Sequence, residues 1–281
     1  MLFRYQISTL VPYINWAYFF YAWKVSAESD EGKKLYADAV ALLNRFDRFF
    51  YARAVVRLCR CNSDGDDIVL VHPSDCPCCA KTPKVIERMP MLRQQHVGAD
   101  GFCWCLSDFI RPVTSGVPDV IGLFATSVDS DMQNQYEKDD PYGKMLVQTL
   151  SDRIAEAAAE CLHEEVRKNI WGYASDEALT IEEMHQEKFV GIRPAVGYPC
   201  LPDISLNFIL EKLLDFPAIG VSLTDSGMMR PHASVSGLMI RHPESRYFSV
   251  GKIDQTQLED YSRRRGLSVD VMRKFLEGNM L

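Results

Sequence analysis

The sequence predicts an α+β fold in a single domain covering residues 1–281, and three observations carry that expectation. Helical and strand-like segments follow one another without regular alternation, which separates this chain from the repeated βαβ units of a parallel sheet. The composition is that of a globular protein, with 281 residues, 47% hydrophobic and 25% charged. A chain of that kind buries a substantial core and is too apolar for disorder. No internal repeat and no linker-like stretch divides it.

The first 25 residues are dense in aromatics, among them Tyr13, Trp16, Tyr18, Phe19, Phe20, Tyr21 and Trp23. They suit either a ligand-facing aromatic wall or a buried helix or strand anchoring the core. The apolar stretch Leu10 to Trp23 is too short to cross a bilayer and contains Pro12 and Asn15, so no membrane span is expected. The polar segment Ser26 to Lys34 leads into a helical pattern over Leu35 to Phe50. From Arg53 to Phe124 the signals are strand and turn. Ile68 to Val71 and Val120 to Ala125 are short apolar runs, and Pro73, Pro77, Pro83 and Pro90 forbid a long helix between them.

Asp139-Asp140-Pro141 is a helix start, an acidic cap followed by Pro in the first turn. The helix it opens extends to about Ile170. Leu146, Leu150, Ile154, Ala157, Cys161 and Val166 form its apolar stripe, with Arg153, Glu156, Glu160 and Arg167 on other faces. Thr180-Ile181-Glu182-Glu183 is a capping box for a shorter helix, and Leu206, Ile209, Leu210, Leu213 and Leu214 mark another. Residues 218–224, 233–241 and 246–253 read as strands. Two closing helices follow, with Gly266 as the stop of one and Ser268 as the start of the next.

The charge balance, 31 basic against 38 acidic side chains, gives −7 with no long basic run. Such a surface does not neutralise phosphates, so a nucleic-acid partner is not expected. Met1-Leu2-Phe3-Arg4 opens no secretory signal, and the expected location is the cytoplasm. Nine cysteines there read as free thiols or metal ligands rather than a disulfide frame. Cys59, Cys61, Cys76 and Cys79 are candidate metal ligands, the last two at knuckle spacing. The other reading is small apolar side chains packed on strands, because no second Cys-x-x-Cys completes a site. Nucleotide fingerprints and a serine-hydrolase elbow are absent. His163-Glu164-Glu165-Val166-Arg167 has Arg where a zinc-protease helix needs its second His. No catalytic acid, base or nucleophile stands out.

The sharpest local feature is Gly191-Ile192-Arg193-Pro194-Ala195-Val196-Gly197-Tyr198-Pro199. Each proline drives the residue before it out of the helical region, and Gly197 permits a tight turn. The loop thus presents Arg193 and Tyr198 from a stiffened backbone. An exposed Arg193 suits a ligand carboxylate, which its planar fork holds bidentately. It equally suits a structural ion pair with a helix carboxylate such as Glu156.

Arg193 to Pro199, preceded by Asp152 to Ala157 and Trp171 to Ala174, resembles the activation domain of cobalamin-dependent methionine synthase. Tyr13-Ile14-Asn15-Trp16, Leu92 to Gln95, Ala233 to Gly237, His242 to Tyr247 and Glu259 to Tyr261 extend the likeness over nearly the whole chain. The resemblance implies a C-shaped domain with a twisted antiparallel sheet flanked by helices, binding S-adenosylmethionine in a shallow groove. Carried onto this chain, Arg193 would hold the ligand carboxylate, with backbone groups around Ala195 and Gly197 alongside. Glu156 and Tyr247 would complete the groove, and Tyr198 would face the corrin. Asn15 stands where the family commonly has Asp to meet the ligand ammonium, and Phe248 replaces the second Tyr of a Tyr-Tyr pair. After Pro199 the family's Pro-Glu/Asp-His-Thr-Glu becomes Pro202-Asp203-Ile204-Ser205-Leu206.

The activity so implied is reductive reactivation. An electron from a flavodoxin-type reductant returns cob(II)alamin to Co(I), and the sulfonium methyl of S-adenosylmethionine traps it as methylcobalamin. The protein contributes proximity and alignment, which accords with the lack of an acid–base pair. The chain has no corrinoid-binding Asp-x-His-x-x-Gly, so cobalamin is expected on a partner, the cobalamin-binding module of methionine synthase. It is expected to act on that partner in trans or to be a separated part of such an enzyme. The alternatives are a non-catalytic S-adenosylmethionine or thiol-metal sensor and a reactivator of another corrinoid methyltransferase.

Overall fold

One long strand organises the computed structural model, which describes residues 1–72, 84–98 and 100–281. Strand β2 (Tyr51–Asp64) pairs along most of its length with β5 (Asp119–Val128), from Ala52 opposite Val128 to Cys61 opposite Asp119. Its other edge is shared. β1 (Leu2–Gln6) takes the first third and β3 (Asp67–Val71) the last, across a turn at Gly65. β4 (Val85–Pro90) extends the sheet beyond β3, and β8 (Ser234–Met239) extends it beyond β5, all antiparallel.

Because successive side chains on a strand face opposite ways, the sheet serves two cores. Ala54, Val56, Phe124 and Met239 face one of them. That core is filled by α1 (Ile7–Leu10), α2 (Trp16–Trp23), α3 (Asp30–Phe46) and the long α4 (Pro141–Glu165). Val55, Leu123, Ala125 and Leu238 face the other, against α6 (Asn207–Leu213) and the segments around it. A third cluster joins α7 (Gln255–Arg265) and α8 (Val269–Phe275) to Leu92, Val250 and Ile253. The described residues also include α5 (Ile181–His185) and the short pair β6 (Ser222–Leu223) and β7 (Met229–Arg230). No helix among them is long and apolar enough to cross a membrane.

Helix α4 begins as its sequence requires, with Asp140 accepting the Gly143 N–H and Pro141 in the first turn. It continues through a π-helical turn, Val166–Ile170. The capping box at Thr180 and the Gly266/Ser268 punctuation also stand. Several expectations are corrected. The third helix starts earlier than Leu35, because Ser29 caps it through the Gly32 N–H, and it ends at Phe46 rather than Phe50. The strand expected over 218–224 shrinks to β6, since Pro217–Ile219 forms a turn closed by Gly220 at φ 75°. Residues 246–253 form no strand; the Val250 N–H goes to the Pro199 carbonyl and Gln94 takes the Ser249 carbonyl. Arg167, placed by the sequence on a polar face of α4, is fully buried.

Candidate functional site

The loop that follows Gly191 lies along the outer edge of β8. Ile192 exchanges both backbone hydrogen bonds with Ile240, Leu238 donates to the Pro194 carbonyl, and Val196 donates to the Ser236 carbonyl. This approach needs a glycine opposite it. A Cβ on Gly237 would stand 2.2 Å from the Pro194 carbonyl oxygen and 2.9 Å from Ala195 Cα. Gly197, at φ 90°, turns the chain back so that its N–H meets the Leu201 carbonyl.

From this backbone two side chains reach α4, one turn apart. Arg193 Nη2 lies 2.9 Å from Glu160 Oε2 and Nη1 donates to the Ala159 carbonyl at 3.1 Å. The Tyr198 hydroxyl donates to Glu156 Oε1 at 2.6 Å. Tyr247 holds the loop from the other side, its oxygen accepting the Arg193 backbone N–H at 2.9 Å. Between the loop, α4, the N-terminal aromatic segment and the 184–189 stretch lies a cavity of about 630 Å³, a volume suited to a small organic ligand.

Seven of the eight residues expected at the site line this cavity: Asn15, Glu156, Arg193, Ala195, Tyr198, Tyr247 and Phe248. Gly197 does not; it shapes the turn. Asn15 also caps α2, accepting the Ala17 N–H. The aromatic segment divides its work, because Phe19 is buried in the core whereas Tyr13 and Tyr18 line the cavity. Arg193 is corrected in two respects. Its side chain is only 13% exposed, and its carboxylate partner is Glu160 rather than Glu156. Glu160, Glu187 and Cys200 are cavity residues that sequence reasoning passed over. Glu160 was within reach, since it stands four residues after Glu156 on one helix face. Glu187 and Cys200 carry no such signal.

The wall is electrostatically mixed. Glu156, Glu160 and Glu187 face Arg153 and Arg193, three carboxylates against two guanidiniums. Burial pushes the Tyr247 hydroxyl up to about 12 and the Cys200 thiol up to about 11, so both stay protonated at neutral pH. Burial, and then the charge of Glu160, raise Glu187 against the opposing pull of Arg193. One carboxylate oxygen of Glu160, Oε1, is buried and has no partner among the described residues.

Of the candidate metal ligands, Cys59 and Cys61 are buried free thiols in the second core. Cys76 and Cys79 lie outside the described residues. Among the described residues no three His, Cys, Asp or Glu side chains gather as a metal site.

The sequence matches the activation domain of vitamin B12 dependent methionine synthase over residues 6–266. The chain belongs to that family. Among solved structures, this activation domain is similar to the MetH reactivation domain bound to AdoHcy, at a TM-score of 0.90 and 37% identity. The similarity covers 100% of this chain and 90% of the other. The antiparallel sheet flanked by helices is therefore the family's fold.

Proposed function

We propose that this activation domain binds S-adenosylmethionine in the cavity between α4 and the 191–202 loop, and presents its methyl group to the corrinoid of a cobalamin-binding methionine synthase module. The observation that carries this reading is the meeting of Arg193, Glu156, Glu160 and Tyr198 at one cavity. S-adenosylmethionine carries a carboxylate, an ammonium and a sulfonium, one net positive charge. The wall, with one more carboxylate than guanidinium, complements it. Glu160 Oε1, a buried acceptor without a partner among the described residues, fits a ligand donor. The solved relative, which holds AdoHcy, supports the same ligand class.

Two of the five N–H groups of Arg193 are committed to Glu160 and Ala159. That leaves the fork pre-oriented with donors to spare for a carboxylate. Asn15 lines the same cavity as a neutral side chain, where a carboxylate would hold the ammonium more firmly. Tyr198, half exposed and tied to Glu156, forms part of the rim at which a partner docks. The ligand supplies an electrophilic sulfonium methyl, and its transfer to the reduced cobalt of the partner leaves S-adenosylhomocysteine. The Cys200 thiol and the Tyr247 hydroxyl, both protonated, take no part in that displacement. The residues here bind and align, with the electron supplied by a flavodoxin-type reductant.

The test is reconstitution. This protein is mixed with a cobalamin-binding methionine synthase that lacks its own activation domain, and the cob(II)alamin spectrum is followed. Conversion to methylcobalamin that requires this protein, S-adenosylmethionine and a low-potential reductant supports the reading. Conversion at the same rate without this protein, or none with it, refutes it.

A further inference from the structure

Behind the outer wall of the cavity lies a charge that ligand binding does not use. Arg167 is fully buried where α4 passes into its π-helical turn. Its guanidinium holds Glu177 through both Nε, 2.9 Å from Oε2, and Nη2, 2.6 Å from Oε1. The same nitrogen Nη2 lies 3.6 Å from Met184 Sδ, and the guanidinium carbon stands 4.3 Å from the centre of the Phe189 ring. Met184 and Phe189 both line the cavity. The carbonyl of Arg167 takes the Ala174 N–H, and the Tyr173 hydroxyl closes the far end of the excursion on the Val190 carbonyl. Gly172 and Gly191, both at positive φ, mark its two ends.

The segment between these glycines, which includes α5, is thus closed at its base, and it supplies Met184, His185, Glu187 and Phe189 to the cavity. Its central tie is a buried ion pair, whose planar fork fixes orientation as well as distance. A hydrophobic pair would fill the same space without that directionality.

We propose that Arg167 is a positioning residue for the ligand. Through Glu177, Met184 and Phe189 it holds the 174–190 wall at the distance from α4 that the bound ligand requires. This rests on the proposed S-adenosylmethionine site. Arg167 touches the wall and not the cavity, so its effect on binding passes through the wall's position.

The experiment begins with calorimetric titration of the wild-type protein with S-adenosylmethionine; no binding there overturns the proposed site and this inference with it. Hydrogen exchange of residues 174–190 is then compared in the wild type, in Arg167→Met/Glu177→Leu, which removes both charges, and in Glu177→Gln, which keeps the side-chain shape should the double variant fail to fold. The expected result is faster exchange in the wall and at least a tenfold loss of affinity, measured well below each variant's melting temperature. A purely structural ion pair would lower the melting temperature and leave that low-temperature affinity intact. Wild-type affinity in a folded variant, with the wild type binding normally, overturns the positioning role alone.

Discussion

Replacing Arg193 separates what this residue does for the fold from what it does for the ligand. Its side chain is 13% exposed and that of Glu160 12%, so Arg193→Met strands a largely buried carboxylate whose Oε1 already lacks a partner among the described residues. Breaking such a pair costs about 3–5 kcal/mol. At about 2–4 °C per kcal/mol for a chain of this size, the lower figure already predicts a melting temperature about 6–12 °C below wild type. Arg193→Met/Glu160→Gln removes the stranded charge and melts well above the single variant. Ligand affinity behaves differently. Loss of a charge-assisted bidentate contact costs about 2–3 kcal/mol, or about 30- to 150-fold in Kd, in both variants. Thermal melting and calorimetric titration with S-adenosylmethionine, run on the same preparations, read the two effects. A single variant that melts with the wild type refutes the buried pair, and a double variant that binds like the wild type refutes the carboxylate role.

Asn15→Asp keeps the cap of α2, since either side chain accepts the Ala17 N–H and a negative charge suits a helix N-terminus. It is expected to tighten S-adenosylmethionine binding by about 1–2 kcal/mol, and titration showing flat or weaker affinity counts against ammonium recognition there. Burial, with the charges of Arg193 and Arg167, pushes His163 well below its ordinary 6.5. The unfolded chain therefore binds a proton below pH 6.5 that the folded protein refuses. Stability is lost as pH falls, by up to about 1.4 kcal/mol per unit. Neither ring nitrogen has a hydrogen-bond partner among the described residues, so His163→Phe forfeits no hydrogen bond there, and urea melts from pH 7.5 to 5.5 should show a shallower decline than wild type. Gly237→Ala drives a Cβ into the Pro194 carbonyl, which should unseat the loop. Expected are a destabilised fold and lost S-adenosylmethionine binding, and a variant that melts and titrates like the wild type contradicts the close approach.

What the sequence could show was whatever neighbouring residues decide among themselves. Asp140-Pro141 and the spacing of Leu146, Leu150 and Ile154 specify α4 locally, and the prolines around Arg193 stiffen the loop without help from elsewhere. What it missed depends on residues far apart in the chain. Residues 246–253 have the alternation of a strand, but their hydrogen bonds go to Pro199 and Gln94. Arg193 looked exposed because Glu160, which covers it, stands on another element. Arg167 looked like a polar-face residue because Glu177 comes back to it only after the π-helical turn. The family likeness carried the site residues further than spacing did, yet Glu187 and Cys200 emerge only once the cavity is closed.

The seating of residues 192–196 on β8 has a consequence beyond ligand contact. Among the described residues β8 is the last strand on its side of the sheet, and an uncovered last strand offers free N–H and C=O groups to any passing chain. Here those groups on Ser236, Leu238 and Ile240 are taken by the loop itself. The same few residues therefore serve as recognition element and as guard against aggregation. Loosening them to reshape the site opens an apolar edge bearing Val235 and Met239 to intermolecular pairing, which couples the protein's solubility to its capacity to bind.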